Sequence, residues 1–365
     1  MKIGVIGAAG KIGRMRVRSV LENANTSLVA VMDLNIEAAN AVAPGVAAFT
    51  DAQSFFNTEM DAVIISTPAF SREEFCLEAF ARGLHVLAEK PLTISAESSR
   101  RIVDAAVKAD RALGAGFNMR YYRAFRLAYD VAQSGEIGEI DHVRIYGGHE
   151  GLPKFVHDWE YKSEVSGGGA LWDVGIHMTD MARHVLGEVV KVYGVATENV
   201  WKQQGSEDNA MALFTSPSGV TATYHASWID WKGYKSVIEI YGSHGMIRGA
   251  YAPMENNLIK MDRPGGKTTR KRYRYPGLIL TEKLKGWQTT AYASFSEELA
   301  EFLDLASGKT GLRIADGHAG LRAIEIADAV KQSSKSGMPV ELTNLGDMAP
   351  VGMSKSTIGD LRNAV

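Results

Sequence analysis

Cysteine is nearly absent from this sequence, and long apolar runs are missing. The one cysteine among 365 residues, Cys76, excludes an internal disulfide and a metal cluster held by several thiolates. It falls within a helical pattern, where a lone cysteine is typical of a small buried apolar residue. No window of about 18 apolar residues occurs, so the sequence predicts no membrane-spanning helix.

An excess of charge of either sign is also lacking. The chain has 40 basic and 42 acidic residues and a formal net charge of -2, which gives no reason to expect binding to nucleic acid or to an anionic membrane. Residues 263–276 are locally basic, and we interpret them as a solvated hairpin or loop rather than a polyanion site. The chain opens directly on an apolar run without a leader-like segment, so we expect a cytoplasmic location.

Length and composition predict a globular protein with more than one domain. Apolar residues make up 45% and charged residues 22% of the chain, as in ordinary soluble proteins. A chain of 365 residues exceeds the size at which a single core stops growing. The expected divisions are a nucleotide-binding domain over 1–120, a substrate-binding and oligomerisation domain over 121–290, helices bracing both domains over 291–340, and a tail over 341–365.

The first third of the chain alternates short apolar runs with helical patterns. The first run is KIGVIG at residue 2, and others follow at 28–33, 61–67, 85–89 and 112–117. Strands that are apolar on both faces and separated by helices form a parallel sheet covered on both sides. The pattern predicts a doubly wound, Rossmann-type α/β domain.

The ends of the first two predicted strands suit a dinucleotide. The segment GAAGKIG, from residue 7, spaces three glycines so that the backbone can turn tightly and a pyrophosphate can approach a helix N-terminus. Asp33 ends the second run, where an acid accepts hydrogen bonds from a ribose and repels a 2'-phosphate. We therefore expect NAD, with NADP as the alternative because Lys11, Arg14 and Arg16 are basic. Capping of the next helix is the alternative role for Asp33.

Other residues at the same strand ends are also expected to contact the cofactor. Because the carboxyl ends of parallel strands meet at one edge of a sheet, residues distant in sequence lie near one another there. The full set of expected cofactor-binding residues is Gly7, Gly10, Lys11, Ile12, Gly13, Asp33, Ser66, Thr67, Pro68, Glu89 and Asn118.

Lys90 is the first candidate for proton transfer. It follows the run at 85–89 in the segment HVLAEKPLTIS. Pro91 restricts the backbone of Lys90 and so the direction of its amine, which could hydrogen-bond a substrate hydroxyl. A surface salt bridge is the alternative interpretation.

Asp173 and His177 are the second candidates. They are four residues apart in a predicted helix over 170–186 and so share one face with Asp180 and His184, to which we assign structural roles. Histidine suits proton transfer near neutral pH, and an acid one turn away can orient it. A solvated helix face and a metal site are the alternatives, although no third ligand with clear spacing supports a metal.

The motifs together resemble the glucose-fructose oxidoreductase and inositol dehydrogenase family, GFO/IDH/MocA. The resemblance covers nearly the whole chain and includes STP at 66, AEKPL at 88, GFNMRY at 116, SGEIGEI at 134, GGGALWDVGIHMTD at 167 and the closing segment from GHAGLRAIEIADAV at 317. It implies that Lys90, Asp173 and His177 surround the carbon that exchanges hydride with the nicotinamide.

The chain departs from the family pattern at two places. Members commonly carry a histidine at or near the fourth residue after the STP proline, where this chain has Arg72 nearby. The glycine turn has an extra spacer residue. Neither change removes a candidate catalytic group.

From about residue 118 the pattern changes to strands. Several runs between 140 and 262, joined by turn segments at 216–219 and 241–245, predict an α+β domain with a large, open, mainly antiparallel sheet. One face of that sheet can pack on the helix that carries Asp173, while the other stays partly apolar. Because such a face is normally covered by another subunit, we expect a homodimer or homotetramer.

These features predict an NAD(P)-dependent oxidoreductase. It would transfer hydride between a hydroxyl carbon of a sugar, sugar derivative or cyclic polyol and the nicotinamide, with His177 accepting the hydroxyl proton beside Lys90. Substrate contacts are expected from the loop at 154–161, through His157 and Trp159, for which a packed surface loop is the alternative. Arg120 and Tyr292 are further substrate candidates. The alternative functions are an NAD-binding regulatory protein without catalysis and a reductase of a biosynthetic intermediate.

Overall fold

The structure, a computed structural model, describes residues 1–343 and divides them into two compact units. The first unit contains Met1–Asn118 and Ala291–Arg322, and the second contains Met119–Thr290 and the described residues from Ala323 onward. From residue 344, the predicted tail lies outside the described residues. The bracing role expected for the last helices stays a prediction.

Strands and helices alternate through the first 116 residues. They are β1 (Lys2–Ile6), α1 (Lys11–Glu22), β2 (Ser27–Met32), α2 (Ile36–Val42), β3 (Ala47–Phe49), α3 (Ala52–Phe56), β4 (Ala62–Ile65), α4 (Arg72–Ala81), β5 (His85–Glu89), α5 (Ala96–Ala109) and β6 (Leu113–Gly116). Each predicted apolar run is a strand.

The rest of the chain is richer in strands. Its elements are α6 (Arg123–Gln133), β7 (Ile140–Gly148), α7 (Ser163–Ser166), α8 (Val174–Leu186), β8 (Lys191–Thr197), β9 (Asn209–Thr215), β10 (Thr221–Ser227), β11 (Lys235–Gly242), β12 (Gly245–Tyr251), β13 (Glu255–Met261), β14 (Thr268–Arg274), α9 (Pro276–Lys285), α10 (Gln288–Ala306), β15 (Ala315–Asp316), α11 (Gly317–Ser336) and β16 (Val340–Glu341).

The sheet of the first unit has the order β15-β6-β5-β4-β1-β2-β3. Its strands are parallel except β15, which pairs antiparallel with β6. The predicted Rossmann-type domain is thus confirmed. Strand order reverses at the β1/β4 pair, and open α/β sheets bind ligands at the carboxyl ends of strands beside such a reversal.

The core of the first unit lies on both faces of this sheet, as apolar β-branched strands require. Ile3, Val5 and Ile64 are fully buried, and α10 adds Leu299 and Phe302 to their cluster. Cys76 is buried on α4, and burial raises the pKa of its thiol to about 12, so it is an inert core residue as predicted.

The sheet of the second unit has nine strands in the order β14-β13-β12-β11-β7-β10-β9-β8-β16. All neighbours are antiparallel except β7 and β10, which confirms the large, mainly antiparallel sheet. Along β9, Ala210, Ala212 and Phe214 are buried whereas Met211 and Leu213 are exposed. The alternation shows that one face of the sheet is covered within this unit and the other is open.

One expectation for this unit needs correction, and another, the solvated hairpin or loop over 263–276, is confirmed. We expected strands without intervening helices after residue 118, but α6 follows at Arg123 and packs on β12, with Phe125 and Ala128 in its buried face. The basic segment over 263–276 forms the turn and second strand of a β13–β14 hairpin, and its side chains are mostly exposed. In the described part of the chain, no helix combines the length and apolarity needed to cross a bilayer.

Candidate active site

The glycine turn after β1 is shaped by close backbone contacts. Gly7 has a positive φ of 75°, and a Cβ there would lie 2.9 Å from the carbonyl carbon of Ser66. A Cβ on Gly13 would lie only 1.9 Å from the carbonyl oxygen of Gly7, so this glycine lets α1 pack against the turn. Gly10 differs, because the nearest atom to a Cβ there is 3.5 Å away. A Cβ at Gly10 would therefore make only an ordinary van der Waals contact.

The N-terminus of α1 is suited to an anion. Gly10 is its N-cap residue, and a glycine has no side chain with which to cap the first turn. The free N–H groups and the helix dipole at such a position favour a phosphate. Lys11 and Ile12 follow in this turn, with Lys11 exposed and Ile12 packed against Met15 and Phe295.

Asp33 lies beside the same turn. Its Oδ2 accepts a hydrogen bond of 2.9 Å from the backbone N–H of Ala9, which draws the end of β2 toward the glycines. The helix-capping alternative for Asp33 is wrong, since the N-cap of α2 is Asn35, whose side chain accepts from Ala38 N–H at 3.0 Å. Asp33 is therefore placed as a dinucleotide-binding acid would be.

Arg16 and Glu89 belong to the interior of the first unit. Arg16 is fully buried and binds Glu89 at 2.5 Å and Glu298 at 2.6 Å. The sequence suggested Arg16 as a phosphate ligand that would favour NADP, and this burial removes it from that role. The carboxylate of Glu89 forms an ion pair with Arg16. This ion pair does not support the cofactor contact expected for Glu89, which stays a prediction.

The ends of β4 and β6 offer further polar groups. The hydroxyl oxygen of Ser66 is buried and, within residues 1–343, has no hydrogen-bond partner. Thr67 Oγ1 accepts a hydrogen bond of 3.0 Å from the Ser71 hydroxyl, and Pro68 precedes a short 3-10 helix. After β6, the side-chain amide of Asn118 donates a hydrogen bond of 2.8 Å to the Ser294 hydroxyl. Four features together fit NAD: a glycine turn that tolerates no side chain at Gly7 or Gly13, a glycine N-cap at the start of α1, an acid after β2 and an unsatisfied hydroxyl after β4.

Lys90 follows β5 directly. Because Ile65 pairs with Ala88 in the β4/β5 register, Thr67 and Lys90 are level with each other on adjacent strands. The Lys90 side chain is half-buried, and Pro91 follows it through a cis peptide bond. Lys90 thus lies at the same sheet edge as the glycine turn and Asp33.

In the second unit, Asp173 is held by two side chains that the sequence did not suggest. It is the N-cap residue of α8, and its Oδ2 accepts from His149 Nε2 at 2.7 Å and from Trp228 Nε1 at 3.1 Å. Two N–H donors stabilise the ionised form of a carboxylate. Asp173 is therefore a fixed negative charge at the start of the helix that carries His177.

The tautomer of His149 follows from its second contact. The backbone N–H of Gly151 donates to His149 Nδ1 at 3.0 Å, so Nδ1 has no proton and Nε2 carries it toward Asp173. His149 is buried, and its ring contacts Phe155 and Trp228. No spacing rule links it to Asp173, because the two are 24 residues apart and lie on different elements.

The helical stripe on α8 is largely buried rather than solvated. His177 is 8% exposed and Asp180 is 1% exposed, which contradicts the solvated-face interpretation. Asp180 receives a bidentate pair of hydrogen bonds from Arg120, at 2.7 and 2.5 Å. His184 stacks on Tyr129 with ring centroids 3.8 Å apart. Asp180 and His184 thus have structural partners, and the substrate role of Arg120 stays a prediction.

The predicted substrate loop is mostly exposed. His157 and Trp159 stack on each other with ring centroids 6.3 Å apart, at the solvent-facing side of a short 3-10 helix. Phe155, which the sequence did not single out, is the loop residue that packs on Trp228, at 5.1 Å between centroids. The loop is therefore anchored beside Asp173 through Phe155, while contact of His157 and Trp159 with substrate stays a prediction.

Tyr292 lies elsewhere in the first unit. Its hydroxyl donates to Glu22 at 2.5 Å and its ring lies under Arg18. Glu22 is the last residue of α1, about 17 Å along the helix axis from the glycine turn at 1.5 Å per residue. The structure does not bring Tyr292 to the strand ends.

Within the described residues, no group of three or more His, Cys, Asp or Glu is placed to hold a metal ion.

Comparison with known families agrees with both units. Residues 1–117 match the model of an oxidoreductase family with an NAD-binding Rossmann fold, and residues 125–248 match the GFO/IDH/MocA C-terminal domain. The chain belongs to the GFO/IDH/MocA family. It is an oxidoreductase, and NAD is its cofactor.

Relatives of this GFO/IDH/MocA protein extend over nearly its whole length. It is 30% identical to an inositol 2-dehydrogenase of Rhizobium meliloti, over 91% of this chain and 96% of that protein. It is 29% identical to a dTDP-3,4-didehydro-2,6-dideoxy-alpha-D-glucose 3-reductase of Saccharopolyspora spinosa, over 73% and 80%. A levoglucosan dehydrogenase in complex with NADH and L-sorbose shares the fold, with a TM-score of 0.79, 22% identity and coverage of 94% and 99%.

Proposed function

We propose that this protein oxidises or reduces a hydroxyl carbon of a cyclic polyol, sugar or sugar derivative, with NAD preferred over NADP. The relatives named above act on an inositol and on a dTDP-linked sugar, which supports this substrate class. NAD, when bound, exchanges the hydride. The side chains of the protein transfer the hydroxyl proton.

The observation that carries the proposal is the anchored Asp173 carboxylate. It is fixed as an anion by His149 and Trp228 and precedes His177 by one helical turn. An imidazole that accepts a proton becomes a cation, and a fixed negative charge on the same helical face favours that form. We assign His177 as the proton acceptor in oxidation and the donor in reduction.

Lys90 has a different role in the proposal. Its ammonium donates a hydrogen bond to the same substrate oxygen and stabilises negative charge that develops there as the proton leaves. Its position after β5, level with Thr67, supports contact with a group bound at the carboxyl edge of the sheet.

A substrate panel tests this function. Purified protein is mixed with NAD or NADP and with inositols, aldoses, sugar acids and anhydrosugars, and NADH formation is followed; the corresponding ketones are tested with NADH. We expect saturable turnover of at least one polyol or sugar, with higher kcat/KM for NAD. Tight NAD binding without turnover of any member in either direction would instead support the regulatory alternative.

A further inference from the structure

Arg72, the first residue of α4, joins two strand ends in the first unit. Its Nε donates to the carbonyl oxygen of Thr67 at 2.8 Å, after β4. Its Nη1 donates to the carbonyl oxygens of Glu89, at 2.6 Å, and of Pro91. Glu89 and Pro91 are the two residues that flank Lys90. One side chain therefore binds the backbone on both sides of the lysine and ties it to the neighbouring strand.

The charge of Arg72 is buried near other ionic groups, which offset part of the cost of burial. Arg72 is buried, and this burial lowers the pKa of its guanidinium to about 10, against the opposing effect of the Glu89 carboxylate. The guanidinium thus stays protonated at neutral pH. Glu89 in turn binds Arg16, which also binds Glu298. Two positive and two negative buried charges surround the end of β5.

The hydrogen-bond acceptors of Arg72 indicate that it holds the backbone in position. The hydrogen bonds described for it go to three main-chain carbonyl oxygens, so its contacts act on backbone position. A guanidinium presents five N–H donors in a rigid planar fork, whereas a lysine ammonium is a single point of charge and an imidazole has at most two N–H donors. A histidine at this position could not bind all three carbonyls at once.

We propose that Arg72 is a positioning residue for Lys90, holding the Glu89–Pro91 backbone so that the amine keeps one orientation toward the substrate oxygen. The inference rests on the role proposed for Lys90. A displacement of about 1 Å in a reacting group can cost about 100-fold in rate. Loss of the Arg72 contacts therefore lowers turnover without removing any group that touches NAD or substrate.

A double-mutant cycle tests this role. Arg72→Gln and Arg72→Lys are each made in the wild-type and the Lys90→Gln backgrounds. The matched control is Arg82→Gln, at the other end of α4, because Arg82 also donates to a main-chain carbonyl, that of Phe56 at 2.7 Å. The measurements are kcat with myo-inositol or another polyol that the panel identifies, the Kd of NAD, and hydrogen exchange of the amides over 89–93.

We expect Arg72→Gln to lower kcat by roughly 10- to 100-fold in the wild-type background and to speed exchange over 89–93. In the Lys90→Gln background the same change should alter kcat by less than about threefold, because the group it positions is gone. Arg82→Gln should leave kcat and exchange over 89–93 unchanged. If Arg72→Gln does not fold, Arg72→Lys carries the same cycle.

Two results would overturn the inference. The first is an equal loss of kcat in both backgrounds, which indicates a general structural role, and the second is an unchanged kcat in both Arg72 variants. Full kcat in Lys90→Gln alone is a separate outcome, because it contradicts the proposed function itself and removes the basis of the inference.

Discussion

At the scale of single residues, Asp33 combines two effects that one substitution can separate. Its carboxylate both accepts a hydrogen bond from Ala9 N–H and carries the negative charge expected to repel a 2'-phosphate. Asparagine keeps an acceptor oxygen of the same reach but removes the charge.

We predict that Asp33→Asn raises the ratio of kcat/KM for NADP to that for NAD by at least about tenfold, equivalent to about 1.4 kcal/mol. Steady-state kinetics with both cofactors measure this ratio, and Asp33→Ala, which loses both effects, is the comparison. An unchanged ratio in Asp33→Asn would show that the carboxylate does not discriminate between the cofactors.

The sequence predicted candidate site residues at strand ends, but it did not predict the side chains and backbone that they contact. Gly7, Asp33 and Lys90 were found because each directly follows an apolar strand, so a local pattern marks them. His149, Trp228 and Arg72 were missed as partners because their roles depend on contacts across the fold. His149 and Asp173 are 24 residues apart, and Arg16 and Glu89 are 73 apart, with no periodicity to link them. Such pairs become visible only when strand order and register are known.

At the scale of elements, the β1–α1 turn offers a matched pair of glycines. A Cβ at Gly13 would overlap the carbonyl oxygen of Gly7, whereas a Cβ at Gly10 meets nothing closer than 3.5 Å. Gly10 also has a negative φ of -66°, which any residue can adopt. The fold therefore needs Gly13, while only a bound ligand would need the space at Gly10.

We predict that Gly13→Ala lowers the free energy of unfolding by about 1–3 kcal/mol because of overpacking. Gly10→Ala should leave stability within about 0.5 kcal/mol and weaken NAD binding by roughly tenfold or more through overlap with the pyrophosphate. Chemical denaturation and NAD titration measure the two effects. Wild-type NAD affinity in Gly10→Ala would contradict the assignment of this turn to the pyrophosphate.

Secondary structure was predicted better where a single residue pattern identifies the element than where the element depends on its packing. The strands β7, β11 and β12 were located by their apolar and β-branched residues. The helix expected over 170–186 ends where predicted, but α8 begins four residues later, after its N-cap residue Asp173. The prediction missed α6, whose first turn follows GFNMRY without a side-chain cap, and it missed the strand pairing of β7 with β10. Pairing between strands that are not consecutive depends on how helices cover one face of the sheet, and single-segment patterns carry no information about that.

At the scale of the whole molecule, the open face of the nine-stranded sheet supports self-association. Tyr193 and Val195 on β8 and Met211 and Leu213 on β9 are 43–52% exposed, and they line a depression of about 670 Å³ with Arg144, Glu239 and Arg248 nearby. A contiguous apolar patch of this kind is typical of a subunit interface. The charged groups of both signs suit a two-fold contact, in which a patch must complement itself.

We predict a homodimer or homotetramer whose assembly depends on this face. Leu213→Arg should shift the protein toward monomer in analytical ultracentrifugation at micromolar concentration, because each two-fold contact would bury two added charges. Leu284→Arg, at an exposed position on α9, is the control and should leave the assembly unchanged. A monomeric wild-type protein would remove the proposal.

The proposed function assigns Lys90 and His177 to one substrate hydroxyl: His177 transfers its proton, Lys90 donates a hydrogen bond to its oxygen, and NAD exchanges the hydride. Its most direct test is the single-turnover rate of NADH formation in wild type, Lys90→Ala and His177→Asn at saturating NAD, with the polyol that the panel identifies. We expect a loss of about 10²- to 10⁴-fold in each variant, with the Kd of NAD unchanged. A wild-type rate in either variant would contradict it.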